Sequence, residues 1–267
     1  MSHFTVAVIH KPEQSIEELL APYSEHIEVE PYVYETKTEM IQEMKNLADD
    51  IRYRIKHGTI EEKTSSYHDV VLEAFTDEEF YQACIEWHRI DKERIDENGN
   101  WLTTYNPESK WDWWVIGGRF SGMLKVPRDR LPEDIVNYLE DDDVYWITDE
   151  APIRLVDFSP NNEVYDAYYK WWKDYVDNDD APWEDLYNKN YYKNYYANAE
   201  DYAKRSSRFN TFAVITPDGK WHERGEMGWF ACSSDTPEES KNWDDNYYKF
   251  IENAEPNDIM TIVDCHI

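Results

Sequence analysis

The sequence predicts an α+β fold: an antiparallel or mixed sheet with packing helices, carrying an inserted aromatic, acidic helical hairpin. Three observations predict it. β-Branched and aromatic runs stand near both ends of the chain, at residues 4–9, 211–215 and 260–267. Between them, several segments space their apolar residues three and four apart, as one face of a helix requires. Residues 133–205 combine acids with closely spaced Tyr and Trp, a composition unlike that of the flanks. Layers of sheet and helix are the economical way to bury such faces. The expected organisation is residues 1–132 as the N-terminal part of the domain, 133–205 as the helical insertion, and 206–267 as the C-terminal part of the same domain.

Each element has a local reason. Residues 4–9 (FTVAVI) read as a strand, and Ser15 with Glu18 forms a capping-box pattern that opens a helix through Leu19 and Leu20. Residues 27–34 alternate acidic and apolar side chains and read as extended. Met40, Ile41, Met44, Leu47, Ala48 and Ile51 follow helical spacing within residues 39–55, whereas residues 68–72 read as a short extended piece. Thr76 and Glu79 open a further helix with Phe80, Ala83, Cys84 and Trp87 on its apolar face. Residues 111–116 read as a strand followed by a Gly-permitted turn and a second short strand. Alternation there would put Trp111 and Trp113 on one face.

Residues 165–175 read as a helix, broken at residues 178–182, with Pro182 opening the next helical run towards Arg205. Residues 211–221 read as a strand, a Pro-Asp-Gly turn and a return strand. Thr236 and Pro237 cap a helix bearing Trp243, Tyr247, Phe250 and Ile251, and residues 260–267 close the chain as a strand. The likeness of residues 4–9 to 211–215 predicts neighbouring strands of one antiparallel sheet.

Charge narrows the function classes. There are 57 acidic and 27 basic residues, a formal charge of −30. Nucleic acid and anionic membrane would be repelled, so neither is expected as a direct partner. Aromatics make up 16% of the chain, which points to a folded protein with a charged skin. Residues 1–9 have no basic n-region and no apolar run of membrane length. Cys84, Cys232 and Cys265 lie far apart and suit reduced thiols, so the expected compartment is the cytoplasm.

No set of residues assembles a catalytic constellation by spacing, and no catalytic residue, metal or cofactor is expected. Gly117-Gly118-Arg119 lacks the phosphate-loop pattern and no helix-forming run follows it; a turn bringing Arg119 against an aromatic sheet face is the simpler reading. His222-Glu223-Arg224-Gly225-Glu226 lacks the second histidine of a zincin helix and has Gly225 inside it, so a hairpin edge is expected. Cys84 and His88, at i and i+4, share a helix face with metal-ligand spacing, but two ligands without a partner pair read as ordinary packing. Asp264 and His266 fall on one face of the last strand with Cys265 opposite. A pocket, where one exists, would gather Trp113, Arg119, His222, Glu226, Asp264 and His266; the alternative function expected is then a small-molecule, nucleotide-like binding protein or an enzyme using Trp113, Arg119, His222 and His266.

The acidic segment carries the leading functional expectation. Residues 133–201 hold 19 acids and five basic residues. Asp141, Asp142, Asp143, Asp179, Asp180, Glu184 and Asp185 would present carboxylates to a basic surface on another protein, with Tyr and Trp beneath them as anchors. The plainer account is an acidic skin that keeps the protein soluble. An assembly role, with the aromatic helices making a homo-oligomer interface, is a further possibility.

Three blocks, residues 110–119 (KWDWWVIGGR), 225–230 (GEMGWF) and 261–267 (TIVDCHI), resemble a family of uncharacterised proteins of bacteriophages and bacteria. They cover 23 of the 267 residues, and the resemblance transfers no active-site residue. It implies a phage or mobile-element setting, in which an acidic protein would inhibit a host defence or nucleic-acid-handling complex in the host cytoplasm. Residues 133–205 lie outside the blocks.

Overall fold

The computed structural model describes residues 2–58, 66–130, 137–141, 144–182, 188–227 and 233–267. The fold is α+β, with a mixed eight-stranded sheet. Two compact units divide the chain: Met1–Ile27 with Pro107–Ile267, and Glu28–Asn106. Residues 28–106 thus form a compact unit of their own.

In the first unit, strand β1 (His3–His10) pairs along its whole length with β10 (Ile259–His266), antiparallel, His3 opposite His266. The other edge of β10 is shared. Strand β7 (Tyr145–Pro152) pairs with residues 259–261, and β4 (Trp113–Ile116) with residues 263–266. Beyond β1 lie β8 (Ala213–Ile215) and β9 (Trp221–Glu223). Strands β5 (Leu124–Pro127) and β6 (Asn137–Asp141) pair with β7.

Two sequence expectations are corrected here. The β1–β8 pair is adjacent but parallel. Strand composition fixes neither neighbour nor direction, and the long intervening chain allows the crossover that a parallel pair needs. Residues 137–152 are strands of the main sheet, so only the later part of the acidic segment is helical.

Both faces of β1 and β10 are covered, which is why residues 6–9 of β1 run apolar without alternation. On one face Ala7, Ile9, Val214, Met260 and Ile262 pack with Trp243 and Tyr247 of helix α8 (Pro237–Asn253). On the other, Phe4, Val6, Val8, Val263 and Cys265 pack with Leu19 and Leu20 of α1 (Ile16–Leu20) and with Trp111.

Helix α5 (Asn162–Trp171) runs on as a π-helical turn (Trp172–Val176), and α6 (Lys189–Tyr195) and α7 (Ala199–Ser206) follow. Their aromatic stripe is chiefly a core of its own: Trp172, Val176, Ala199 and Tyr202 are buried, with Tyr169, Trp171, Tyr192 and Tyr196 packed around them. Arg205 is buried, donates to Asp244 and Ser240 of α8 and to the Tyr195 carbonyl, and stacks over Tyr196.

In the second unit, α2 (Lys37–Lys56), α3 (Ser66–Leu72) and α4 (Asp77–His88) pack Met40, Met44, Ala48, Val71, Phe80 and Cys84 into one core. Residues 68–72, expected as extended, belong to helix α3. The β-branched Val70 and Val71 bias a local reading towards strand. Burial of Val71 against α2 and α4 decides otherwise. A short ribbon joins β2 (Tyr32–Glu35) to β3 (Trp101–Thr103), so only the end of the expected 27–34 stretch is strand. Among the described residues no helix is long and apolar enough to cross a membrane.

Candidate functional site

A polar constellation of the first unit lies where β4 and β7 divide the edge of β10. Because β4 ends at Ile116 and β7 begins its pairing at residue 259, the chain must leave the sheet between them. Gly117 and Gly118 make that exit with φ of 69° and 53°, a region that disfavours side chains. A carboxylate then grips the turn from each neighbouring strand. Asp264 of β10 accepts from the Arg119 backbone N–H at 2.9 Å. Asp149 of β7 accepts from the Gly122 N–H at 2.6 Å and the Ser121 hydroxyl at 2.9 Å.

Two carboxylate-backed imidazoles stand beside this turn. His3 bonds through Nδ1 to Asp264 at 2.8 Å, and His266 through Nδ1 to Asp112 at 2.6 Å. A carboxylate acceptor sets each Nδ1 as the donor, which leaves Nε2 as the second functional nitrogen of each ring. The imidazoles meet edge to face with centroids 5.1 Å apart, and Trp113 stacks on His266 at 5.1 Å and 14°. The His266 side chain is 8% exposed, and its Nε2 is buried without a hydrogen-bond partner among the described residues. Trp113 is 43% exposed and forms the solvent side of the stack.

The expected pocket is thus assembled in part. Trp113, Asp264 and His266 come together; Arg119 reaches the cluster through its backbone, with its side chain exposed. His222 does not join. It sits on β9, packs on Phe250 at 4.8 Å, and burial lowers its pKa. Glu226 is exposed, with its backbone paired to Ser234. The expected pairing of Trp111 with Trp113 also fails. Trp111 precedes β4 in an isolated bridge to Ser24 and turns into the core with Trp114, so alternation does not run through Asp112. Asp264 and His266 do share a face, with Cys265 in the opposite core.

Sequence reasoning missed His3 and Asp112. The signal existed in the register: once β1 pairs with β10, His3 lies opposite His266. Asp112 is fixed by its own N–H bonding the His266 carbonyl.

Of the acids assigned to a partner surface, Asp179 and Asp180 are exposed in the turn after the π-helical segment. Asp141 ends β6, its backbone paired with Trp146. Asp142, Asp143, Glu184 and Asp185 lie outside the described residues, as do Cys232 and the end of the 225–230 block. Cys84 and His88 share a face of α4, and Glu43 of α2 stands against both. Compared with family models, curated proteins and solved structures, the chain matches none.

Proposed function

We propose that this protein binds a small, planar, uncharged ligand of the nucleoside class at the Trp113–His266 cluster. The 43% exposed Trp113 ring stacked on His266 carries this reading, because it offers a flat apolar face of the kind on which rings stack. The His266 Nε2 beneath it is buried with no hydrogen-bond partner among the described residues, a cost of about 1–3 kcal/mol that a ligand inserting beside the ring would recover. The formal charge of −30 argues against phosphorylated forms. Binding is favoured over covalent catalysis because the Ser121 hydroxyl is committed to Asp149 and Cys265 faces the opposite core.

Calorimetric titration with adenosine, guanosine, cytidine and uridine, with imidazole nitrogen resonances followed by NMR, tests the reading. At least one nucleoside should move the His266 Nε2 resonance. His266→Gln and Trp113→Leu should each weaken it at least tenfold, about 1.4 kcal/mol. Binding indifferent to both substitutions, or no binding by any of the four, refutes it.

A second reading keeps the acidic partner role of a phage-type inhibitor, in line with the family resemblance. The supporting observation is that Glu163, Asp166, Asp179 and Asp180 are exposed while most of the aromatic stripe beside them is consumed internally. Any anchors come from the outer ring, such as Tyr168 and Tyr175. Capture of a host protein with a basic surface, weakened by salt and by joint Asp179→Asn and Asp180→Asn exchange, would favour it.

A further inference from the structure

The second unit holds a cluster that the nucleoside reading does not use. Cys84 and His88 project from one face of α4 at i and i+4, and Glu43 reaches them from α2. His88 Nε2 lies 3.1 and 3.2 Å from the two Glu43 carboxylate oxygens, and Cys84 Sγ lies 3.8 Å from the nearer one. The sulfur, nitrogen and oxygen ligand atoms all fall within 4.8 Å of one another. Tetrahedral sites with bonds of about 2.0–2.3 Å have edges of roughly 3.3–3.8 Å, so the nitrogen–oxygen and sulfur–oxygen spacings lie near such an edge, while the sulfur–nitrogen spacing closes by at most about 1 Å around an ion.

We propose that Glu43, Cys84 and His88 form a binding site for a thiophilic divalent cation of the zinc class. Mixed sulfur, nitrogen and carboxylate donors select such a borderline ion over Mg²⁺ or Ca²⁺, which take oxygen. Glu35 offers a further carboxylate: it lines the same cleft as Glu43 and His88. Glu39 lines the cleft as well, but its carboxylate is committed to capping α2 through Thr36. The Cys84 thiol is fully buried and is pushed up to about 12 by desolvation and by Glu43 and Glu35. A thiol that reluctant to ionise alone, beside two carboxylates, becomes a thiolate when a cation takes the place of its proton. On binding, the S–H bond breaks, an S–metal bond forms, and the proton leaves to solvent. The Glu43–His88 contact is also compatible with a simple ion pair, and the experiment separates the two.

The full chain, reduced and freed of metal with a chelator, is titrated with Co²⁺ and then with Zn²⁺ in competition. One equivalent of Co²⁺ should produce a sulfur-to-cobalt charge-transfer absorption that Zn²⁺ abolishes. Cys84→Ser should remove the band, while Cys232→Ser should keep it. Because Cys84 is buried, His88→Gln provides a second reading at a partly exposed position: its far-ultraviolet circular dichroism should be unchanged and its Co²⁺ affinity at least tenfold lower. Absence of the band in the wild-type chain, its persistence in Cys84→Ser, or unchanged affinity in a folded His88→Gln overturns the site. None of these outcomes bears on nucleoside binding, which is assigned to the other unit.

Discussion

At Gly118 an added Cβ would lie 2.5 Å from the Asp264 Oδ2 and 2.6 Å from its Cβ. The obstacle includes the root of a side chain that also holds His3 and the Arg119 N–H, so it cannot swing aside without releasing both. Gly219 has a similar backbone, φ +80°, but its nearest neighbour is Leu19 Cδ2 at 3.9 Å. The two positions separate backbone strain from collision. Gly219→Ala should cost about 1 kcal/mol for conformation alone. Gly118→Ala should cost at least about 2 kcal/mol, since strain and displacement of a bonded carboxylate add. Urea unfolding of both variants measures the difference, and equal losses would mean that Asp264 is not braced as described. His3 gives a further readout, since only Gly118→Ala should disturb its imidazole resonances.

At the scale of elements, three helix starts among the described residues share one device. Thr36, Thr76 and Thr236 each accept from the backbone N–H three residues on, while Glu39, Glu79 and Glu239 reach back to the capping residue. Those backbone and hydroxyl donors hold all three glutamates below the usual carboxylate range. A lowered folded-state pKa means stability that is present above the unfolded pKa, about 4.3, and lost as pH falls through the folded value. Thr236→Ala should cost about 1 kcal/mol at neutral pH. The gap between wild type and Glu239→Gln should shrink as pH falls from about 6 towards 3; a gap that is flat with pH would show that the charge of Glu239 plays no part. The Thr76–Glu79 box was legible as sequence, because a cap and its partner are three residues apart, and Thr236 was legible as a cap. The same locality explains what was not legible. Helix α3 forms because Val71 is buried between two other helices, and the parallel direction of β8 depends on a crossover that strand composition does not encode. Part of each candidate site was visible for the same reason: Cys84 and His88 share a turn of helix, but Glu43 is 41 residues from Cys84 in another helix. Asp264 and His266 share a strand, but His3 arrives from the other end of the chain.

Across the whole molecule, a formal charge of −30 makes the folded state work against itself. Exposed pairs such as Lys170–Asp174, Lys173–Asp177 and Lys241–Asp245 offset little of it, since surface ion pairs are individually worth about 0–1 kcal/mol. Salt therefore acts mainly by screening repulsion. Raising ionic strength from about 0.01 M to 0.15 M shortens the screening length from roughly 30 Å to 8 Å, which reaches from long-range repulsion down to near neighbours. Thermal unfolding temperatures should rise across that interval in NaCl; a fall would show that paired charges outweigh the excess. This direction also disentangles the two functional readings. Nucleoside binding at an uncharged ring stack should change little with salt, whereas a basic partner should be released by it. Because the fold strengthens over the same interval, release by salt reports a lost electrostatic contact rather than an unfolding protein.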